Sequence, residues 1–89
     1  MTPRMYKPNP DARVFAVEWP AGLTADEFLR GLPRDWLERD MFSITEDYVV
    51  VRTNQGLAYM YPGWFLIFGT AAEFYPVPPA IFTARWVAA

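Results

Sequence analysis

Proline is the residue that most constrains this chain, because it occurs nine times in 89 residues, about twice its ordinary frequency of roughly 5%. A proline ring fixes φ and removes a backbone donor, so prolines belong at turns, at strand edges or in the first turn of a helix. Five glycines add further turn positions. We therefore expect short strands and short helices that are joined by stiff turns.

Hydrophobic residues form 53% of the chain and aromatic residues 18%, which is enough for a bulky core in a single small domain. The longest apolar run, residues 64–68, is of strand length. It is far shorter than the roughly 18 residues that a membrane-spanning helix needs. The first residues contain no apolar segment of the kind found in secretory signals. We expect a soluble, intracellular protein without a membrane partner.

Cysteine and histidine are both absent, which excludes disulfides, zinc sites with thiolate or imidazole ligands, thiol nucleophiles and histidine general bases. The carboxylates lie in polar segments and lack the spacing of a calcium loop. Eight basic and ten acidic residues give a net charge of −2, which is too balanced for a nucleic-acid-binding surface. We therefore expect no enzymatic activity, no cofactor, no metal ion and no nucleic-acid partner.

Several segments carry clear local signals. Residues 14–19 alternate as a strand does, and Tyr48–Thr53 contains three consecutive β-branched valines. A glycine turn then leads into residues 57–61, the expected hairpin partner. Thr24 and Glu27 have the spacing of a capping box, which predicts the start of a short helix.

Residues 1–12 contain three prolines and no periodicity, so we predict an extended or flexible N-terminal arm. Residues 13–89 are predicted to form one α+β domain. Within it, residues 64–68 are expected to be a strand buried on both faces, and residues 81–87 a short C-terminal helix. The predicted architecture is a twisted, mostly antiparallel sheet of about five strands with one short capped helix and that C-terminal helix.

Acidic residues are concentrated in residues 23–47, which hold seven acids and three bases. An acidic stretch is commonly a solvated surface; the alternative is a surface that docks a basic site on a partner protein. In so small a domain some of the many aromatic rings should also stay exposed, where they can anchor a partner. The candidate protein-binding residues are Asp35, Trp36, Glu38, Asp40 and Trp64.

Residues 48–89 contain only three charged side chains, Arg52, Glu73 and Arg85. Glu73 and Arg85 are expected to form an ion pair that pins the C-terminal segment to the sheet. Alternatively, a guanidinium group among aromatic rings binds a planar or anionic ligand. Such a ligand would be small and nucleotide-like, bound within one subunit or between subunits of a homo-oligomer. The candidate ligand-binding residues are Arg52, Tyr59, Tyr61, Trp64 and Arg85.

The second half of the chain contains three consecutive motifs. Residues 62–69 read Pro-Gly-Trp-Phe-Leu-Ile-Phe-Gly, residues 73–76 read Glu-Phe-Tyr-Pro, and residues 79–82 read Pro-Ala-Ile-Phe. In order and spacing they resemble the signature of a family of small phage-encoded accessory proteins. That signature has a Pro-Gly-Asp-Trp/Tyr turn, a Gly-Glu-Phe-Tyr-Pro-Cys segment and a Pro-Asp-Ile-Phe ending. This sequence departs from it at Trp64, Ala72, Val77 and Ala80.

The resemblance implies a phage or prophage accessory protein without an established enzymatic activity, located in the cytoplasm of a bacterial host. A small domain of this kind is expected to act by stoichiometric binding, as an antagonist of a host defence protein such as a CRISPR effector. Two alternatives stay open at this point. One is a sponge that sequesters a nucleotide-like immune signal, and the other is a minor virion or assembly protein.

Overall fold

Two antiparallel β-sheets and three short helices make up the computed structural model, which describes residues 1–8 and 14–88. In chain order the elements are β1 (Arg4–Pro8), β2 (Val14–Glu18), α1 (Ala25–Arg30), α2 (Arg34–Leu37), β3 (Phe42–Thr45), β4 (Tyr48–Thr53), β5 (Gly56–Met60), β6 (Phe65–Phe68), β7 (Phe74–Val77), α3 (Pro79–Arg85) and β8 (Trp86–Ala88). Within these described residues, no helix has the length and apolar character needed to cross a membrane.

The larger sheet has five strands in the order β7-β6-β2-β1-β8, and the smaller sheet has three in the order β3-β4-β5. Every neighbouring pair is antiparallel. The predicted α+β class and the mostly antiparallel pairing are confirmed. The described part of the chain forms eight strands in two sheets, whereas the sequence predicted about five strands in one. The difference arises because β1 and β8 are too short to show a clear alternation of hydrophobic and polar residues. They pair with each other although they are far apart in sequence.

Strand β6 contributes to a separate core on each of its faces. Leu66 and Ile67 are both fully buried, although successive side chains of a strand point to opposite faces. Leu66 belongs to a first core cluster, which also takes buried side chains from the smaller sheet, α1 and α2. Ile67 belongs to a second core cluster, which lies beneath α3. The prediction that residues 64–68 form a strand buried on both faces is therefore confirmed.

Helix α1 begins at the predicted capping box. The Glu27 amide donates to Thr24 Oγ1 at 3.1 Å, and the Thr24 amide donates to Glu27 Oε1 at 2.9 Å. These hydrogen bonds with Thr24 favour the charged carboxylate, so the pKa of Glu27 is lowered from its ordinary value. One turn later, the Phe28 ring stacks on Trp19 with centroids 5.1 Å apart. The capping box determines the residue at which α1 begins, and the stacking of Phe28 on Trp19 packs α1 against the first core cluster.

The segment predicted as an N-terminal arm contains strand β1. This strand lies between β2 and β8, with Met5 opposite Phe15. The Tyr6 ring packs edge-on against Phe82 of α3, with centroids 4.8 Å apart. The described part of the arm is therefore extended and belongs to the larger sheet, while residues 9–12 lie outside the described residues.

The C-terminal helix ends earlier than predicted. Helix α3 stops at Arg85, and Trp86 begins strand β8. The Phe82 ring stacks on Phe65 of β6, with centroids 3.8 Å apart and planes 5° apart, so α3 lies on the sheet as expected. The prediction that the helix extends to residue 87 is wrong. Pairing with β1 gives the last residues ladder hydrogen bonds, and this competes successfully with a further helical turn.

The turn between β6 and β7 holds Ala72 in a left-handed conformation, with φ of 59°. The Ala72 amide donates to the Gly69 carbonyl at 3.1 Å, and the Gly69 amide donates to the Glu73 carbonyl at 2.8 Å. A three-residue hairpin loop of this kind usually has glycine at the left-handed position. Because a Cβ is disfavoured there, Ala72 stores local backbone strain.

We expect Ala72→Gly to raise the free energy of unfolding by about 0.5–1 kcal/mol, because relief of the left-handed strain exceeds the added entropy of the unfolded chain. Urea denaturation of the purified protein measures this difference. The matched control is Ala71→Gly, since Ala71 is not among the described residues with positive φ. That control should be neutral or destabilising, and equal effects of the two changes would contradict the strain at Ala72.

Candidate functional site

One face of the smaller sheet is turned away from the core. Val49 and Val51 of β4 and Met60 of β5 are completely buried in the first core cluster. The alternate residues of β4 therefore point outward, and the strand register places the alternate residues of β5 beside them. We call this outward surface the tyrosine face, and its residues are Tyr48, Val50, Arg52, Leu57, Tyr59 and Tyr61.

The tyrosine face carries a continuous set of ring contacts. The Tyr48 ring centroid lies 5.3 Å from that of Tyr59 and 5.6 Å from that of Tyr61. The Tyr61 ring in turn lies 5.5 Å from the half-buried ring of Trp64. Tyr59 is 51% exposed, Tyr61 42% and Leu57 66%. Exposed apolar and aromatic groups that adjoin one another in this way are typical of interaction sites.

Tyr48 is the half-buried centre of these rings. Its desolvation, and secondly the carboxylate of Glu46, raise the pKa of Tyr48 above its usual value of about 10. The phenol is therefore neutral at physiological pH and can both donate and accept a hydrogen bond. The tyrosine face thus offers ring area and hydrogen-bonding capacity together.

Acidic side chains border the tyrosine face at both ends of β4. At one end, Asp40 lines a depression of about 140 Å³ together with Arg52. At the other end, Glu46 and Asp47 connect β3 to β4 and, with Asp26 of α1, line a cavity of about 280 Å³. The middle of the tyrosine face is therefore apolar, and its border is mainly negatively charged. Arg52 is the cationic side chain among the residues of the face itself.

Two of the predicted protein-binding residues adjoin the tyrosine face, namely Asp40 and Trp64. Asp35 and Glu38 are exposed at α2. The prediction that Trp36 is an anchor on the surface is wrong, because this residue is 4% exposed and its ring packs against rings of the first core cluster. Helix α2 has only four residues. It packs against the core through Trp36, its largest apolar side chain.

The predicted ligand-binding residues are brought together only in part. Arg52, Tyr59 and Tyr61 share the tyrosine face, and Trp64 contacts Tyr61. Arg85 ends α3, which packs on the second core cluster, on the opposite face of the larger sheet. The five residues therefore do not surround one pocket, and the first four belong to an open surface.

Three residues of the tyrosine face, Tyr48, Val50 and Leu57, were not singled out from the sequence as candidate site residues. A usable signal was present in β4, where Tyr48, Val50 and Arg52 alternate with the valines that are buried. That alternation marks one outward face, and the hairpin register then adds Leu57 and Tyr59. The missing information was which of the two faces of this hairpin is covered.

The expected ion pair between Glu73 and Arg85 is absent among the described residues. The Glu73 carboxylate instead packs against Gly69 in the turn before β7, whereas Arg85 is exposed at the end of α3. Their separation reflects the two cores, since Arg85 follows a helix that covers the second cluster. The C-terminal segment is held by ring stacking on Phe82 and by β8 pairing.

No family model, no curated protein and no solved structure matches this chain. Within residues 1–8 and 14–88, no three acidic side chains converge as a group that would hold a metal ion. The tyrosine face consists of phenol rings, apolar groups and one guanidinium, and carboxylates border it. These groups are suited to binding another surface.

Proposed function

We propose that this protein acts by stoichiometric binding, as a non-enzymatic phage accessory protein that blocks a host defence protein. The tyrosine face is the contact surface in this proposal. The observation that supports it most is the set of touching rings formed by Tyr48, Tyr59 and Tyr61 on a sheet face that the other described residues leave uncovered. The partner surface would be apolar in its centre and basic at its border.

Aromatic side chains give a surface of this size its binding energy. Tyrosine is enriched among interface residues whose truncation costs 2 kcal/mol or more, and such residues cluster at the centre of an interface. In this protein Tyr48 is held by two neighbouring rings, so little side-chain entropy remains to be lost on binding. The tyrosine face is therefore largely organised before a partner arrives.

The bordering acids support a basic partner. Asp40 lies at one end of the tyrosine face, and Glu46 and Asp47 lie at the other. Complementary charges at the border of an interface mainly accelerate association and select the partner. Defence effectors that handle nucleic acid need basic surfaces for phosphate groups, so a protein with an acidic border and an aromatic centre would occlude such a surface.

A plating assay tests this proposal. Bacterial strains that each carry one defence system are challenged with a phage that this system restricts, with and without expression of the protein. We expect the wild-type protein to restore plating in a strain whose effector binds nucleic acid. We expect the double variant Tyr59→Ala/Tyr61→Ala to lose this effect, because removal of two central rings weakens binding by at least about thirtyfold.

The matched control is Ile81→Ala, since Ile81 is also a large exposed apolar residue (46%) but lies on α3, away from the tyrosine face. Both variants must keep the wild-type unfolding midpoint. Restoration by Ile81→Ala together with loss in the tyrosine double variant would support the proposal. Failure of the wild-type protein to restore plating across the strains, or full activity of the double variant, would overturn it.

A further inference from the structure

A groove runs between the β4–β5 turn and the β6–β7 turn, away from the rings of the tyrosine face. It consists of two adjoining cavities of about 500 and 460 Å³. Both are lined by Thr53, Asn54, Glu73 and Phe74. Together these cavities are in the size range of sites for small organic ligands.

Glu73 supplies an acceptor that the described residues leave unused. Among them its buried Oε2 atom has no hydrogen-bond partner, while its Oε1 atom occupies the space that a Cβ on Gly69 would need. Burial of a carboxylate oxygen without a hydrogen-bond donor raises the free energy of the folded protein. A ligand whose N–H groups donate to this oxygen would lower that free energy.

Tyr75 lines the first cavity beside Glu73. Burial of the phenol, and secondly the Glu73 carboxylate, raise the pKa of Tyr75, which keeps this hydroxyl protonated.

Two arginines supply the opposite charge. Arg39 and Arg52 line the second cavity together with Glu73, and both are exposed. Neither forms an ion pair with another described residue. The Arg39 guanidinium carbon lies 4.9 Å from the centroid of the Phe68 ring, a contact that restricts this long side chain while leaving its N–H groups free for an anion. The groove is therefore lined by two cationic side chains and by Glu73, whose Oε2 atom is buried rather than open to the groove.

We propose that this groove binds a nucleoside phosphate, with the phosphate at Arg39 and Arg52 and the base at Glu73. Arginine is well suited to phosphate because its planar fork of donors matches two phosphate oxygens. A carboxylate can accept two parallel N–H groups, and guanine offers such a pair on one edge, whereas adenine offers an amino group next to an acceptor. The carboxylate would turn into the groove on binding. The groove should therefore prefer guanine nucleotides to adenine nucleotides.

This site differs from the one predicted for a nucleotide-like ligand, which consisted of Arg52, Tyr59, Tyr61, Trp64 and Arg85. Only Arg52 is common to both sets. The new set combines two hairpin turns from different sheets, at residues 53–55 and 71–75, with Arg52 of β4 and with Arg39, which follows α2. The inference is independent of the proposed tyrosine-face function, because it concerns purified protein without a partner.

Titration calorimetry with GMP, AMP, guanosine and inorganic phosphate tests the groove. We expect GMP to bind more tightly than AMP, and guanosine and phosphate each to bind more weakly than GMP. Glu73→Gln should weaken GMP binding at least about tenfold and reduce the preference for guanine, since one acceptor becomes a donor. Arg39→Ala should weaken GMP binding similarly and leave guanosine binding unchanged, since guanosine has no phosphate.

The control variant is Arg85→Ala, which removes an exposed arginine far from the groove and should bind GMP as the wild-type protein does. Absence of binding for both nucleotides would overturn the inference. So would unchanged GMP affinity in Glu73→Gln and Arg39→Ala with an intact fold. Neither of these negative results would change the outcome expected in the plating experiment on the tyrosine face. The groove proposal can therefore be wrong while the tyrosine-face proposal is right, and the reverse.

Discussion

Replacing Phe74 with alanine is expected to remove a large part of the stability of this domain. Phe74 is 2% exposed, and its ring lies within 4.8–5.2 Å of the rings of Phe42, Phe68 and Trp36. Loss of a buried phenylalanine costs about 3–5 kcal/mol. A domain of this length has a free energy of unfolding of only about 4–13 kcal/mol, so Phe74→Ala should lose between about a quarter and all of that free energy.

Urea denaturation monitored by circular dichroism measures this effect. Phe74→Leu should cost about 1.5 kcal/mol or less, because leucine refills most of the space. Phe15→Ala is the surface control, since Phe15 is 44% exposed, and it should cost less than Phe74→Ala by about 2 kcal/mol or more. Equal costs at positions 74 and 15 would show that the ring cluster around Phe74 is not the centre of the first core.

Deletion of residues 1–8 is expected to have the second largest effect. Strand β1 is the only described hydrogen-bonding neighbour of β8 and also covers one side of β2. Its Tyr6 ring packs against Phe82 and Phe65 in the second core cluster. Loss of that ring and of two strand pairings should lower the free energy of unfolding by roughly 3 kcal/mol or more.

The deletion also separates two interpretations of the N-terminus. An arm that orders only on contact with a partner would be removable without loss of stability, whereas an inner strand would not. Deletion of residues 1–3 alone, which precede β1, is the matched control and should change the unfolding midpoint little. Hydrogen exchange should also show loss of protection in β8 after deletion of residues 1–8. Unchanged stability and protection would contradict the role of β1 in the larger sheet.

Short sequence motifs predicted those helices and strands that are fixed by interactions between residues close together in the chain. The capping box of Thr24 and Glu27 fixes the start of α1 through two short-range hydrogen bonds. The β-branched run in β4 and the following glycine turn predicted a hairpin, which the register confirms. The alternating pattern of residues 14–19 predicted strand β2. Each of these features depends on residues within a few positions of one another.

Pairing between distant segments was not predictable in the same way. Strand β8 becomes a strand because it pairs with β1, which lies at the opposite end of the chain. The mistake at Trp36 has a similar origin, since nothing near it in sequence shows that α2 seats its ring on the first core cluster. Residue type alone does not distinguish an exposed anchor from a buried one, because tryptophan serves in both positions.

Composition and local pattern were sufficient to predict an α+β domain with short elements, without cysteine or histidine chemistry, and with more aromatic rings than a small core readily buries. Which of these rings stay exposed depends on contacts between distant segments. In the folded protein Trp36 and the inner valines of β4 are buried, whereas Tyr59 and Tyr61 are exposed. Arg39 and Glu73 line the same cavity. The physical reason is that burial depends on which segments meet across the fold, and these contacts join residues far apart in the chain.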